Sequence, residues 1–174
     1  MLKSLTIILA SVALATIATA RAEEVPNDAQ IAMIAVTADT VDIDAGKLAA
    51  SKSENKEVKA FAETMVRDHT AVNDKATALA KKLGVTPEES ATSKTLKTNG
   101  DAQLAKMKGL TGAAFDKAYV DNEVSYHEAV AGVLDKTLLP NTKNAELKAL
   151  LESARPIFVS HLEHAKMIQK SLAK

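Results

Sequence analysis

The sequence predicts an all-α protein, a four-helix bundle in a single domain. The 174 residues contain only six Gly and four Pro, and aromatic residues make up 3% of the chain. Apolar residues recur every three or four positions along four long segments, which is the periodicity of amphipathic helices. No segment beyond the N-terminal region alternates polar and apolar residues as a half-buried strand would. The core must therefore be formed mainly by Ala, Leu, Val and Ile between packed helices.

The first element is a targeting segment over residues 1–22. A positively charged start precedes an uncharged apolar run that ends in an A-x-A motif at 20–22. The run has roughly 16 residues, fewer than the ~20 that a spanning helix needs, which favours cleavage over a retained membrane anchor. We expect a cut after Ala22, with Ala20 as the alternative. The predicted product is an exported protein, periplasmic or secreted, with one domain over 23–174 and no membrane span.

Two long helices are predicted next, over about 28–53 and about 55–83, joined by a turn of two or three residues. Asn55 is a suitable N-cap for the second helix, and Gly84 is suited to end it. The apolar positions of the first helix are Ile31, Ile34, Ala38, Val41, Ala45 and Leu48. Those of the second are Val58, Ala62, Met65, His69, Val72, Ala76, Leu79 and Leu83. This near-heptad spacing favours close packing of the two helices.

A connection of roughly 28 residues follows over 84–112, which is long for a helical bundle. It carries a weaker helical signal that starts near 86–89 and has apolar positions at Leu104, Met107 and Leu110. We therefore predict a short helix within a long crossover.

The last two helices are predicted over about 113–138 and about 144–172, with Pro140 ending the first of them. Their apolar positions are Val120, Val124, His127, Ala131, Leu134 and Leu138, then Leu147, Leu150, Ala154, Ile157, His161, His164 and Ile168. The turn between them is short. A hairpin, a long crossover and a second hairpin form the connectivity of a ferritin-like four-helix bundle.

Composition and motifs exclude several classes of function. The 22 basic and 22 acidic residues balance, which argues against a nucleic-acid-binding protein. The chain has no Cys, so disulfides, thiolate metal sites and a cysteine nucleophile are excluded. It also lacks a Gly-rich phosphate loop and the G-x-S-x-G and H-E-x-x-H motifs. A hydrolase or a nucleotide-dependent enzyme is therefore not indicated.

The four histidines are the strongest chemical signal, because all of them fall on the apolar seams of the predicted helices. Glu123 lies four residues before His127 and so shares its helix face, and Asp42 lies beside the seam of the first helix. Imidazole and carboxylate ligands together suit Fe, Mn, Zn or Cu. The candidate metal ligands are His69, His127, His161, His164, Glu123 and Asp42.

Two features argue against a standard carboxylate-bridged di-iron centre. The Glu-x-x-His spacing that such centres use occurs at none of the histidines. Counting from the predicted helix ends offsets His127 and His161 by roughly 9 Å along the bundle, against roughly 4–5 Å for His69 and Asp42. A single site that gathers all the histidines therefore needs an adjustment, for which a kink at Pro156 is one source.

Other interpretations of the histidines stay open. Each ring could be satisfied by its own carboxylate or backbone carbonyl, in a non-enzymatic envelope module whose polar core serves the binding of a protein partner. Met65 and Met167 lie close in sequence to His69 and His164, which would favour copper, although Met also fills gaps in Ala-rich cores. A pH sensor is a third hypothesis. Oligomeric state and enzymatic activity cannot be inferred from the sequence.

Several blocks resemble a known family: MVRDHTAVN at 65–73, GAAFDKAYV at 112–120 and HEAV at 127–130. The chain is similar, over about 30–170, to exported bacterial proteins of unknown function with a ferritin-like four-helix bundle, often labelled membrane or outer-membrane proteins. The resemblance implies that His69, His127 and His161 occupy the family's usual histidine positions, whereas His164 is peculiar to this chain. It also implies that Asp42 stands where the family commonly has Glu. It implies no established activity.

Overall fold

The computed structural model describes residues 25–174, which are helical apart from short connections and contain no β-strand. The predicted signal peptide, residues 1–22, lies outside the described residues. The elements are α1 (Asp28–Lys52), α2 (Lys56–Leu83), α3 (Ala91–Lys108), α4 (Gly112–Val133), a π-helix (Leu134–Leu138), α5 (Leu139–Asn141) and α6 (Ala145–Leu172). The all-α prediction is confirmed for this part of the chain.

Helices α1 and α2 form the first hairpin, with ends set by local capping. The Asn27 side chain accepts a hydrogen bond from the backbone N–H of Gln30, whose side chain accepts one in return from Asn27. Asn55 caps α2 as predicted. Gly84 ends α2 with a φ of 64°, in the left-handed region that glycine adopts without strain. The short turn between the two helices makes them antiparallel neighbours.

The crossover contains the predicted helix, but α3 begins later than the sequence suggested. Before it, the connection contacts the start of α1, where the Glu88 N–H donates to the Ala29 carbonyl oxygen at 3.1 Å. The Ser90 side chain then caps the first turn of α3. Helix α3 lies on α1, and Gly100 allows the approach, because a Cβ there would lie 2.6 Å from a methyl carbon of Val41.

The prediction that Pro140 ends the third long helix is wrong. The Leu139 N–H donates five residues back to the Leu134 carbonyl oxygen, which forms the π-helix. The wider turn lets Pro140, which has no N–H to donate, continue in helical backbone within α5. The helical path therefore extends three residues beyond the predicted end. Asp28 then caps the start of α6 by accepting hydrogen bonds from the backbone N–H groups that precede it.

Helix α1 packs against α2, α4 against α6, and α2 against α6, with α3 on the outer side of α1. The core is divided into two apolar halves. One contains Phe61, Met65, Tyr119 and Ile168, and the other contains Ile34, Val72, Leu134 and Phe158. Along α1, α2, α4 and α6, a set of buried ionisable residues lies between the two halves: Asp39, Asp42, His69, Glu123, His127 and His161. Within residues 25–174, no helix is both long enough and apolar enough to cross a membrane.

Candidate metal centre

A layer of buried ionisable side chains separates the two apolar halves. Helix α1 contributes two carboxylates, α2 one histidine, α4 a carboxylate and a histidine, and α6 one histidine. Each is between 0% and 4% exposed, and they are Asp39, Asp42, His69, Glu123, His127 and His161. Such groups are rarely buried unless they are paired or bind a metal ion.

The imidazole rings of His69, His127 and His161 meet at one level of the bundle. Their centroids are separated by 5.6 Å, 5.2 Å and 5.6 Å. One ring nitrogen from each lies within 4.8 Å of those of the other two. The structure therefore brings together three histidines from α2, α4 and α6.

The predicted offset of roughly 9 Å between His127 and His161 is wrong. Because the helical path after α4 continues to Asn141, the two histidines lie at nearly equal distances from the turn. At 1.5 Å per residue, their offset is about 3 Å. The adjustment comes from the π-helix and α5, while Pro156 is an exposed residue inside a continuous α6.

In each ring, one nitrogen is hydrogen-bonded to a neighbouring oxygen. The pairs are His69 Nδ1 to Asp39 Oδ1 at 2.8 Å, His127 Nδ1 to the Glu123 carbonyl oxygen at 3.0 Å, and His161 Nε2 to Asp68 Oδ2 at 3.1 Å. The other nitrogen of each ring is buried and has no hydrogen-bond partner among the described residues. Metal-binding histidines show this arrangement, in which the second nitrogen holds the ring in place for the first.

Asp42 lies against two of these rings. Its Oδ2 is 2.5 Å from His69 Nε2 and 3.7 Å from His127 Nε2. The closer contact is nevertheless misaligned as a hydrogen bond, and both Asp42 oxygens lack a hydrogen-bond partner within the described part of the chain. Asp42 therefore lies between the two rings and is the acidic partner of His69.

Glu123 is fully buried beside the same residues. Its Oε2 is 3.6 Å from His127 Nδ1, and neither carboxyl oxygen makes a hydrogen bond to any residue of 25–174. Asp42, Glu123 and His127 each have a ligand atom within 4.8 Å of the other two. Two overlapping groups of candidate ligands thus share His127.

The charge of the cluster is concentrated on one ion pair. Burial alone would lower the pKa of His69, but the adjacent carboxylates of Asp42 and Asp39 raise it to about 10. Burial would likewise raise the pKa of Asp42, but the charge of His69 outweighs it and keeps that pKa below its usual value. Without a metal ion, His69 is therefore the protonated ring and Asp42 the charged carboxylate.

The other two rings of the cluster, those of His127 and His161, are neutral at neutral pH in the absence of a metal ion. Burial lowers the pKa of His127, and it lowers that of His161 to about 4 despite the opposing hydrogen bond to Asp68. Burial, followed by repulsion from Asp42, raises the pKa of Glu123 well above its usual value. At neutral pH, two imidazoles thus carry lone pairs that can bind a metal ion without first losing a proton.

The predicted ligand His164 lies outside this cluster. Its half-buried ring packs edge-on against Phe61, with 5.0 Å between the ring centroids. The two methionines that suggested copper are also apart from the site, since Met65 belongs to an apolar half of the core and Met167 is 61% exposed.

Two carboxylates that hold the rings, Asp39 and Asp68, were not among the predicted site residues. Asp39 lies three residues before Asp42, so both are on one face of α1. This spacing of three residues could have indicated a second carboxylate at the site. It was not used because the helices were analysed by their apolar positions. Asp68 directly precedes His69, yet it contacts His161 across the bundle, which no spacing in the sequence indicates.

Fold and site together define an all-helical bundle with a buried cluster of imidazoles and carboxylates able to hold a metal ion. Over residues 13–168, the chain matches the model of a domain of unknown function, DUF4142, and it belongs to that family. This agrees with the resemblance to an uncharacterised family. No curated protein and no solved structure is matched by the chain.

Proposed function

We propose that this protein is an exported, ferritin-like bundle that binds a transition-metal ion through His69, His127 and His161, with Asp42 and Glu123 completing the ligand set. One observation carries the proposal: each ring has one nitrogen hydrogen-bonded to an oxygen, and its second, buried nitrogen lies within 4.8 Å of a nitrogen of a second ring or a carboxylate oxygen of the cluster. The biological role would be metal handling or defence against oxidative stress.

Local pairing of each histidine does not account for the free atoms. A buried polar group without a hydrogen bond costs about 1–3 kcal/mol, and a buried charge costs more. The Nε2 of His127 and the Nδ1 of His161 lie in this condition, whereas the Nε2 of His69 has the Asp42 carboxylate beside it. A divalent cation would satisfy them together and would neutralise the carboxylates that face it.

The donor set favours iron, manganese or zinc. It consists of imidazole nitrogens and carboxylate oxygens, and no sulfur atom lies among the candidate ligands. Nitrogen and oxygen donors of this kind suit Fe and Zn, and added carboxylates favour Mn. The two groups of candidate ligands share His127 and do not define one site with five donors, so the choice among iron, manganese and zinc rests on the donor types alone.

Metal analysis of the purified protein tests the proposal, with the fourth histidine as a matched control. The wild type, His127→Gln and His164→Gln are each dialysed against Fe²⁺, Mn²⁺, Zn²⁺ and Cu²⁺, and bound metal is measured by mass spectrometry. We expect the wild type and His164→Gln to retain the same metal, and His127→Gln to lose most of it. No metal above trace in the wild type, or unchanged binding by His127→Gln, would contradict the proposal.

The ferritin-like topology and the export of the chain are part of the same proposal. The order of two hairpins joined by a long crossover supports the first, and the A-x-A motif at 20–22 supports the second. N-terminal sequencing of the protein recovered from the envelope or the medium of a bacterial host tests export. A mature chain that starts at Glu23 is expected, and an intact Met1 would contradict it.

A further inference from the structure

A cavity of about 40 Å³ lies in the apolar half of the bundle that contains Leu134, Leu151 and Phe158. Its walls come from α1, α2, α3, α4, the π-helix and α6. The lining surface is almost entirely carbon, and Asp39 is the single polar residue that takes part in it. The cavity is thus an apolar space with one polar edge.

The size and polarity of this space define its occupant. A water molecule needs two to four polar partners, and one carboxylate at the edge cannot supply them throughout the cavity. An apolar cavity of about 150 Å³ stays dry and takes up benzene or xenon, so 40 Å³ corresponds to a much smaller guest. An uncharged molecule of two or three atoms, such as dioxygen, matches both properties.

The cavity adjoins the candidate metal centre on the side of His69. Asp39 lines the cavity and also accepts the hydrogen bond from His69 Nδ1 at 2.8 Å. Phe158 lines it as well, and its ring stacks on that of His69 at 5.1 Å with an interplanar angle of 4°. Two side chains that line the cavity are thus in direct contact with the ring of His69.

We propose that this cavity binds a small apolar gas molecule, of the size of dioxygen, beside the metal centre. Binding in the cavity does not depend on the ion, whereas delivery of the gas to the ion rests on the proposed function. A protein that binds xenon but no metal would refute the proposed function alone. A protein that binds metal but no gas would refute the present inference alone.

Xenon is the probe for the experiment, because it is apolar and visible in diffraction. Crystals of the wild type, Ala154→Leu and Ala149→Leu are pressurised with xenon. Ala154 lines the cavity, whereas Ala149 is exposed on the same helix and controls for the change of side chain. We expect xenon between Leu134 and Phe158 in the wild type and Ala149→Leu, and at least a tenfold loss of occupancy in Ala154→Leu. Ordered water filling the space, or xenon retained in Ala154→Leu, would overturn the inference.

A second measurement needs only the wild-type protein, so it decides the matter even if Ala154→Leu does not fold. Dissolved dioxygen is paramagnetic and accelerates the relaxation of nearby methyl protons. We expect a larger acceleration at Leu134, which is 2% exposed and lines the cavity, than at Val120 and Ile168, which are buried in the other apolar half. Equal acceleration in the two halves would overturn the inference.

Discussion

At the scale of single residues, the important feature is that the two ring nitrogens of each histidine have different roles: one is hydrogen-bonded to an oxygen and the other faces the cluster. His69 and His161 use carboxylates to hold one nitrogen, and His127 uses the carbonyl of its own helix one turn back. These bonds orient the rings and leave the second nitrogens directed into the cluster. Carboxylate-bound imidazoles are also stronger metal ligands, because the partner raises their basicity.

Asp39→Asn tests the positioning of His69 without removing any proposed ligand. The amide keeps the size of the side chain but loses the charge that orients the ring and strengthens it as a donor. We expect the metal affinity to fall about 10- to 100-fold, measured by competition with a chromophoric chelator. The exposed Asp44→Asn on the same helix is the control and should bind as the wild type does. Equal affinities for the two variants would show that Asp39 has no such role.

The metal-free protein should be most stable near neutral pH, because two histidines titrate in opposite directions. The folded pKa of His161, about 4, lies below the 6.5 of a free imidazole, so its contribution is complete above pH 6.5 and is lost as the pH falls towards 4. The folded pKa of His69, about 10, lies above the 6.5 of a free imidazole. The contribution of His69 to the free energy of unfolding is therefore complete below pH 6.5 and is lost as the pH rises towards 10. Each change amounts to a few kcal/mol, since one pKa unit is about 1.4 kcal/mol.

Urea denaturation in the presence of a chelator, between pH 4 and pH 10, measures both limbs of this profile. His161→Gln should flatten the acidic limb, and His69→Gln the alkaline limb. A His161→Gln protein that retains the full acidic slope would show that the slope arises elsewhere.

At the scale of elements, α3 is held by a close approach rather than by a large apolar face. Of its residues, Ser93 and Met107 are buried, and Gly100 meets Val41 of α1. Gly100→Ala would force its Cβ to within 2.6–2.7 Å of the Val41 methyl groups. We expect a loss of about 1–3 kcal/mol in the free energy of unfolding, measured by urea denaturation.

A second glycine is the matched control for this prediction. Gly132 lies in α4 with no atom near the position of a Cβ, so Gly132→Ala should be neutral or stabilising by up to about 1 kcal/mol. Adding Val41→Ala to Gly100→Ala should recover part of the loss, because it removes the clashing methyl groups. If Gly100→Ala and Gly132→Ala behave alike, the close approach of α3 does not stabilise the fold.

Periodicity in the sequence predicts the long helices and the faces they bury. It does not predict which residues of different helices lie at the same level along the bundle axis. His161 and His164 share one face of α6, yet His161 joins the other buried histidines whereas His164, one turn further on, packs against Phe61. The π-helix escaped prediction because Pro140 signals a helix end, and a single wider turn leaves the apolar pattern unchanged. The candidate ligands could thus be named from the sequence, whereas their common level could not.

At the scale of the whole molecule, the polar layer interrupts the core at its middle. Apolar packing above and below it must then offset the burial of several ionisable groups. A bound ion stabilises the folded state by mass action, by about 2.7 kcal/mol at a free concentration of 100 times the Kd. An ion bound at the proposed centre would therefore stabilise the folded domain.

Metal removal should accordingly lower the melting temperature. For a domain of this size, 2.7 kcal/mol corresponds to a shift of roughly 5–10 °C. Thermal denaturation of the metal-loaded wild type with and without a chelator measures it, and His127→Gln should show little shift. A chelator effect of the same size in His127→Gln would place the stabilising ion elsewhere on the protein.

The most direct measurement is anomalous diffraction at the zinc edge from crystals grown with zinc, which locates the ion regardless of activity. The account predicts a peak inside the bundle, about 2.0–2.1 Å from the free ring nitrogens of His69, His127 and His161 and in contact with Asp42. Peaks confined to surface residues, or an interior without anomalous density although the crystals contain zinc, would contradict it.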